Sequence, residues 1–137
     1  MAYKLTIIQN PSYVHVIVTG KNSKQNVTQY LKDVLLECTT RKYRKVLIEE
    51  HLEGPRLNTF PIFEIAKNGS EEARGYFEAI AYVDVNAVGG LMQFAETVAV
   101  NRGIPVTVFA SVADAKIWLN NMTMEKQNKA LEGESTT

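Results

Sequence analysis

At 137 residues the chain suits one domain, and a domain of that length buries about two-thirds of its unfolded surface without a disulfide or a metal to hold it. Lys plus Arg and Asp plus Glu number 15 each, so the net charge is zero, which argues against non-specific nucleic-acid binding, since that depends on excess cations. Cys38 is the only cysteine, which excludes an internal disulfide and fits a reducing, cytoplasmic setting.

The chain opens Met1-Ala2-Tyr3-Lys4-Leu5, without the charged segment and long apolar run of a signal peptide. No stretch reaches the ~18 apolar residues of a membrane span. Leu5 to Ile8 is a short apolar stretch, Asn10-Pro11-Ser12 is a turn signal, and Tyr13 to Val18 is β-branched up to Gly20. These read as an antiparallel hairpin. The period then changes. Val27, Tyr30, Leu31, Val34, Leu35 and Cys38 recur at helical spacing, and Asn22 or Ser23 can cap the helix start. Arg44 to Glu50 is an apolar run between charges, as in a strand inside a sheet. After Gly54-Pro55, Pro61 suits the first turn of a helix, and Asn68-Gly69-Ser70 either interrupts or ends it. Ala79 to Val85 is a fourth strand, and Ala87 to Asn101 a helix with Leu91, Phe94, Ala95 and Val98 on one face. Gly103 closes that helix, and Pro105 to Phe109 is a fifth strand. Ser111-Val112-Ala113-Asp114 is a capping box opening a helix through Trp118 and Leu119 toward Met122. Residues 1–122 therefore form the domain, and 123–137 a polar tail expected to fray.

Strands separated by helices run parallel through right-handed crossovers. The predicted fold is α/β: a mixed five-stranded sheet, antiparallel at its N-terminal hairpin and parallel beyond, with about four helices. Three passages carry a resemblance: Arg44-Lys45-Val46-Leu47-Ile48-Glu49, Ala79-Ile80-Ala81-Tyr82-Val83-Asp84, and Ile104 to Phe109 followed by Ala113-Asp114-Ala115-Lys116-Ile117-Trp118-Leu119. In this order they resemble the STAS domains, in particular the SpoIIAA-like branch. The resemblance implies a non-enzymatic domain, since members bind nucleotides or partner proteins. In the sporulation antagonists of that branch a serine just before a helix is phosphorylated. The comparable stretch here, Asp84-Val85-Asn86-Ala87-Val88-Gly89-Gly90, has no Ser or Thr, so no phosphoserine switch is expected there. The branch also resembles, in outline, small lipid-binding domains with a helical flap over an apolar cavity, which implies an apolar ligand.

Ligands in parallel sheets sit beyond the carboxyl ends of the strands. That rim comprises Glu49-Glu50-His51, Asp84-Val85-Asn86 and Phe109-Ala110-Ser111. Asn86 reads as a helix cap whose neighbouring N–H groups can also receive an anion. Gly89-Gly90, placed in the first turns of the fourth-strand helix, costs about 1 kcal/mol per glycine, so helix–sheet packing, a ligand or a second subunit of a homodimer must offset it. His51 sits in an acidic loop without a second histidine at metal-ligand spacing, so no metal is expected. Cys38 lies on an apolar helix face and reads as a buried structural thiol. No nucleophile elbow is present, and no cofactor or catalytic residue is assigned. Leu57 to Ile65 places five large apolar side chains after the Gly-Pro break: either it is thoroughly buried, or it is a lid over an apolar pocket or a docking surface. The expected function is a non-enzymatic module holding an apolar or amphipathic small ligand, or associating peripherally with a membrane. Its binding residues are Leu57, Phe60, Phe63, Tyr82, Asp84, Asn86, Gly89 and Gly90. The alternative is a STAS-type protein-interaction domain docking through Asp84 to Gly90.

Overall fold

Residues 3–122 are described by the computed structural model. The hairpin forms as the alternation requires, with β1 at Tyr3–Gln9 antiparallel to β2 at Val14–Lys21. Helix α1 spans Lys24–Arg41. Ser23 is the residue that caps it, its Oγ accepting the Asn26 N–H at 3.1 Å. The helix ends at Lys42, a left-handed residue with φ 64°, where the Tyr43 N–H closes on the Cys38 carbonyl at 2.9 Å. Strand β3 (Lys45–Glu53) pairs parallel with β2, β4 (Ala79–Asp84) pairs parallel with β3, and a short β5 (Val106–Val108) pairs parallel with β4. The sheet order is β1-β2-β3-β4-β5. The predicted mixed sheet is the observed one, although β5 is shorter than Pro105–Phe109.

Two further helices cross over, α2 at Thr59–Ala73 and α3 at Leu91–Val100, and α4 covers 112–122, the end of the described residues. The Ser111 half of the expected capping box is present, Asp114 N–H donating to Ser111 Oγ at 3.1 Å. The polar tail expected over 123–137 lies outside the described residues. No helix among the described residues is long and apolar enough to cross a membrane.

The two sheet faces are covered unequally. Val14, Val16, Val18, Val46, Ile48, Leu52 and Ile80 point to the side of α1, where they meet Val27, Tyr30, Val34 and Cys38. On the other side Leu47, Ala79, Ala81 and Val83 meet Ala115 and Leu119 of α4. The expected burial of Cys38 is observed; burial, then the neighbouring Glu37, pushes its thiol up to about 12, so it is inert at neutral pH.

Two helix boundaries differ from expectation. Asn68-Gly69-Ser70 neither interrupts nor ends α2, because Ser70 turns its hydroxyl back onto the Ala66 carbonyl at 2.5 Å and buries itself in the continuous helix. Gly89 and Gly90 are not in the first turns of α3. The helix starts one residue later, at Leu91, and Gly89 takes a left-handed turn (φ 65°) that no side chain adopts comfortably. Their cost as helix residues therefore never arises.

Candidate functional site

Parallel pairing sets Glu50 of β3 beside Asp84 of β4, and Ile48 beside Tyr82. Because strand side chains alternate, Ile48, Glu50 and Leu52 face the helices while Glu49 and His51 face the opposite side. The expected Glu49-Glu50-His51 rim is thus split between two faces. His51 lies in β3, not in a solvated loop.

Helix α2 packs against α1 and α3, its Ile65 and Ala73 reach the core on that face of the sheet, and Ser70 is its only buried residue. The Leu57 to Ile65 segment is therefore not thoroughly buried. Beneath it lies a cavity of about 220 Å³. Leu31, Ile62, Ile65, Leu91 and Val106 contribute to its apolar wall; Glu50, Arg56, Tyr82 and Asp84 contribute polar atoms.

The polar end is built on Glu50, which is 4% exposed. Its Oε2 accepts the hydroxyls of both Tyr30 and Tyr82, and those two hydroxyls also meet each other. Burying a carboxyl without such donors is costly. Burial raises the Glu50 pKa above its ordinary value; the two tyrosine hydrogen bonds pull it back, Asp84 adds to the rise and Arg56 opposes it. Burial and the charge of Glu50 hold both tyrosines far above the usual phenol range, so they remain protonated donors.

At the mouth, Arg56 ties the β3–α2 loop to the ends of β3 and β4. Its Nη1 lies 3.3 Å from Asp84 Oδ2, and its Nη2 donates to the Leu52 carbonyl at 2.6 Å. Asn86 donates from Nδ2 to the same carbonyl at 2.9 Å, and Asp84 Oδ1 accepts the Asn86 N–H at 3.0 Å. Asn86 therefore staples the β4–α3 loop to the end of β3 instead of capping α3, whose N-terminus has no side-chain cap. Val85 and Val88, either side of this staple in sequence, are 44% and 65% exposed, and Phe60 at the start of α2 is 69% exposed.

On the far face Glu49 is held between two imidazoles, His15 Nε2 at 2.8 Å on Oε1 and His51 Nε2 on Oε2. Burial works to raise the Glu49 pKa, but the hydrogen bonds from His51 and His15 outweigh it and lower the value.

Among the expected binding residues, Leu57, Tyr82 and Asp84 line the cavity. Phe60 and Phe63 do not: Phe60 projects outward, and Phe63 lies under the Arg102 guanidinium, 5.5 Å from its ring centroid. A helix over a cavity has an outer side, which Phe60 occupies, and a flank, where Phe63 meets Arg102. Asn86, Gly89 and Gly90 belong to the mouth and its turn. Local pattern alone does not mark Tyr30 or Arg56 as site residues. The one hint was a hydroxyl on the apolar face of α1, which when buried needs a partner.

No family model matches the sequence, and no curated protein matches it. Several solved structures are similar, two of them as follows. A serine-to-glutamate variant of RsbS from Moorella thermoacetica superposes with a TM-score of 0.57 at 12% identity, over 88% of this chain and 98% of that one. An uncharacterised protein of the DUF3478 family with a SpoIIAA-like fold, from Shewanella loihica PV-4, gives a TM-score of 0.49 at 21% identity, over 86% of this chain and 93% of that one. At such identities the likeness is one of fold. The chain has the STAS-like, SpoIIAA-like fold that its passages resemble, with a mixed five-stranded sheet and four helices.

Proposed function

We propose that this STAS-like domain is a regulatory, non-catalytic protein-interaction module that docks its partner through the rim formed by Phe60, Val85 and Val88. One observation carries the reading. Of the seven large hydrophobic residues exposed among the described ones, Phe60 stands in the first turn of α2, just after Arg56, and Val85 and Val88 flank Asn86 after β4; the Arg56–Asp84 contact joins the two segments. Exposed apolar side chains on a braced support are what a docking surface needs, because little order must be gained on binding. The Asp84 to Gly90 loop has no hydroxyl to phosphorylate, so control of docking rests on another input.

The test is affinity capture from a lysate of the source organism, with wild type and the Phe60→Ser, Val88→Ser double variant. A specific partner is expected with wild type and lost with the variant, while both give the same circular dichroism spectrum. Equal recovery by both proteins rejects this rim.

The cavity supports a second reading, a small ligand held beneath α2. Its size narrows the ligand class. A cavity of about 150 Å³ accommodates benzene, so about 220 Å³ suits a body of roughly nine heavy atoms. A long acyl chain exceeds that, so a membrane lipid is not the ligand proposed. Native mass spectrometry of purified protein tests for a retained small molecule.

A further inference from the structure

The charges around the cavity do not balance. The lining has two cations, Lys32 and Arg56, and four carboxylates, Glu50, Glu72, Asp84 and Glu96. Lys32 faces Glu72 at 3.9 Å, and Arg56 faces Asp84 at 3.3 Å. Glu96 accepts the Val108 N–H at 2.8 Å. Glu50, like Glu96, has no paired cation among the described residues. The tyrosines occupy its Oε2; its Oε1 has no hydrogen-bond partner among the described residues, yet it is not sealed inside the protein. Glu50 is more than nine-tenths buried and lines the cavity, so this open acceptor belongs to the cavity and not to bulk solvent.

We infer that the cavity takes a small apolar amine, its ammonium group hydrogen-bonded to Glu50 and its hydrocarbon body against Leu31, Ile62, Ile65 and Leu91. The inference rests on the cavity reading above and adds the chemistry of the head group. An ammonium donates hydrogen bonds and accepts none, which matches a carboxylate with one open oxygen. The low-dielectric wall strengthens that pairing. A carboxylate ligand would set a second negative charge against Glu50 and Asp84. A hydrocarbon without a donor would leave Oε1 unpaired after expelling water, which is costly. Tyr30 and Tyr82 act as positioning residues, since they hold Oε2 and so direct Oε1.

The experiment is an NMR titration of the full chain with three probes of similar shape: 2-phenylethylamine, 2-phenylethanol and phenylacetate. The amine is expected to shift the signals of Ile65, Ala66 and Leu91 saturably. The alcohol should bind at least tenfold more weakly, and phenylacetate should leave those signals in place. Glu50→Gln should weaken the amine at least tenfold. If the alcohol or phenylacetate binds as tightly as the amine, the head-group assignment is overturned while the cavity reading stands. If none of the three binds, the cavity reading itself fails and takes the inference with it. Should Glu50→Gln not fold, Ala66→Phe decides, because it fills the cavity and leaves Glu50 intact. Amine binding that survives that substitution overturns the site.

Discussion

Replacing Tyr30 with phenylalanine removes one oxygen from the core and leaves the ring. Tyr30 is 0% exposed, and its hydroxyl donates to Glu50, itself 4% exposed. A hydrogen bond to a charged group contributes about 1.5–3 kcal/mol, and at this depth salt screens it little. The ring still fills its site, so no cavity cost is added. Tyr30→Phe should therefore lose about 2 kcal/mol at neutral pH, which lowers Tm by roughly 6–8 °C in a domain of this size. The pH dependence follows from Glu50. Burial raises its folded pKa above the ordinary 4.5, so its favourable contribution is complete below the unfolded value and is lost as pH rises through the folded value. Removing a tyrosine donor raises that folded value further. The cost of Tyr30→Phe should then be smallest at about pH 4 and grow toward neutrality. Urea unfolding of wild type, Tyr30→Phe, Glu50→Gln and the double variant measures it, with a coupling of at least about 1 kcal/mol expected between the two sites. A loss below about 0.5 kcal/mol, or the same loss in the Glu50→Gln background, would refute the buried charge-assisted bond.

Two other outcomes are expected. At Gly89 (φ 65°) an added Cβ meets nothing within 4 Å, so Gly89→Ala should cost only the left-handed backbone preference, about 1–2 kcal/mol by urea unfolding; a loss above about 3 kcal/mol would point to a steric contact instead. Glu49 has a folded pKa below its ordinary 4.5 because the His51 and His15 hydrogen bonds outweigh burial. Its stabilisation is present above the unfolded value and is lost as pH falls through the lower folded value. Glu49→Gln should flatten the acid limb of a stability–pH profile and lower stability at neutral pH; superimposable acid limbs for the two proteins would rule out the imidazole–carboxylate cluster as the cause.

Much of the architecture is written in local periodicity. Val14, Val16 and Val18 alternate and so share one face, and Val27, Tyr30, Val34 and Cys38 repeat at helical spacing and face them. Ser23 and Ser111 mark helix starts because a side-chain oxygen beside free N–H groups is a purely local arrangement. Periodicity states which side of an element is apolar, but not what stands opposite. Phe60 and Phe63 look like pocket residues in the sequence, yet neither lines the cavity: Phe60 projects outward and Phe63 packs under Arg102. Gly89-Gly90 looked like a flaw in a helix, whereas the helix begins just after them. The Glu50 cluster depends on register: Tyr30 lies 20 residues from Glu50 and 52 from Tyr82, and only the pairing of β3 with β4 and the packing of α1 bring the three together. By itself the sequence determined the strands, the helices and their apolar faces, because these follow from contacts a few residues apart. The cavity, its unpaired carboxylate oxygen and the exposed rim were decided only by tertiary structure, because each arises where segments distant in the chain meet or fail to meet.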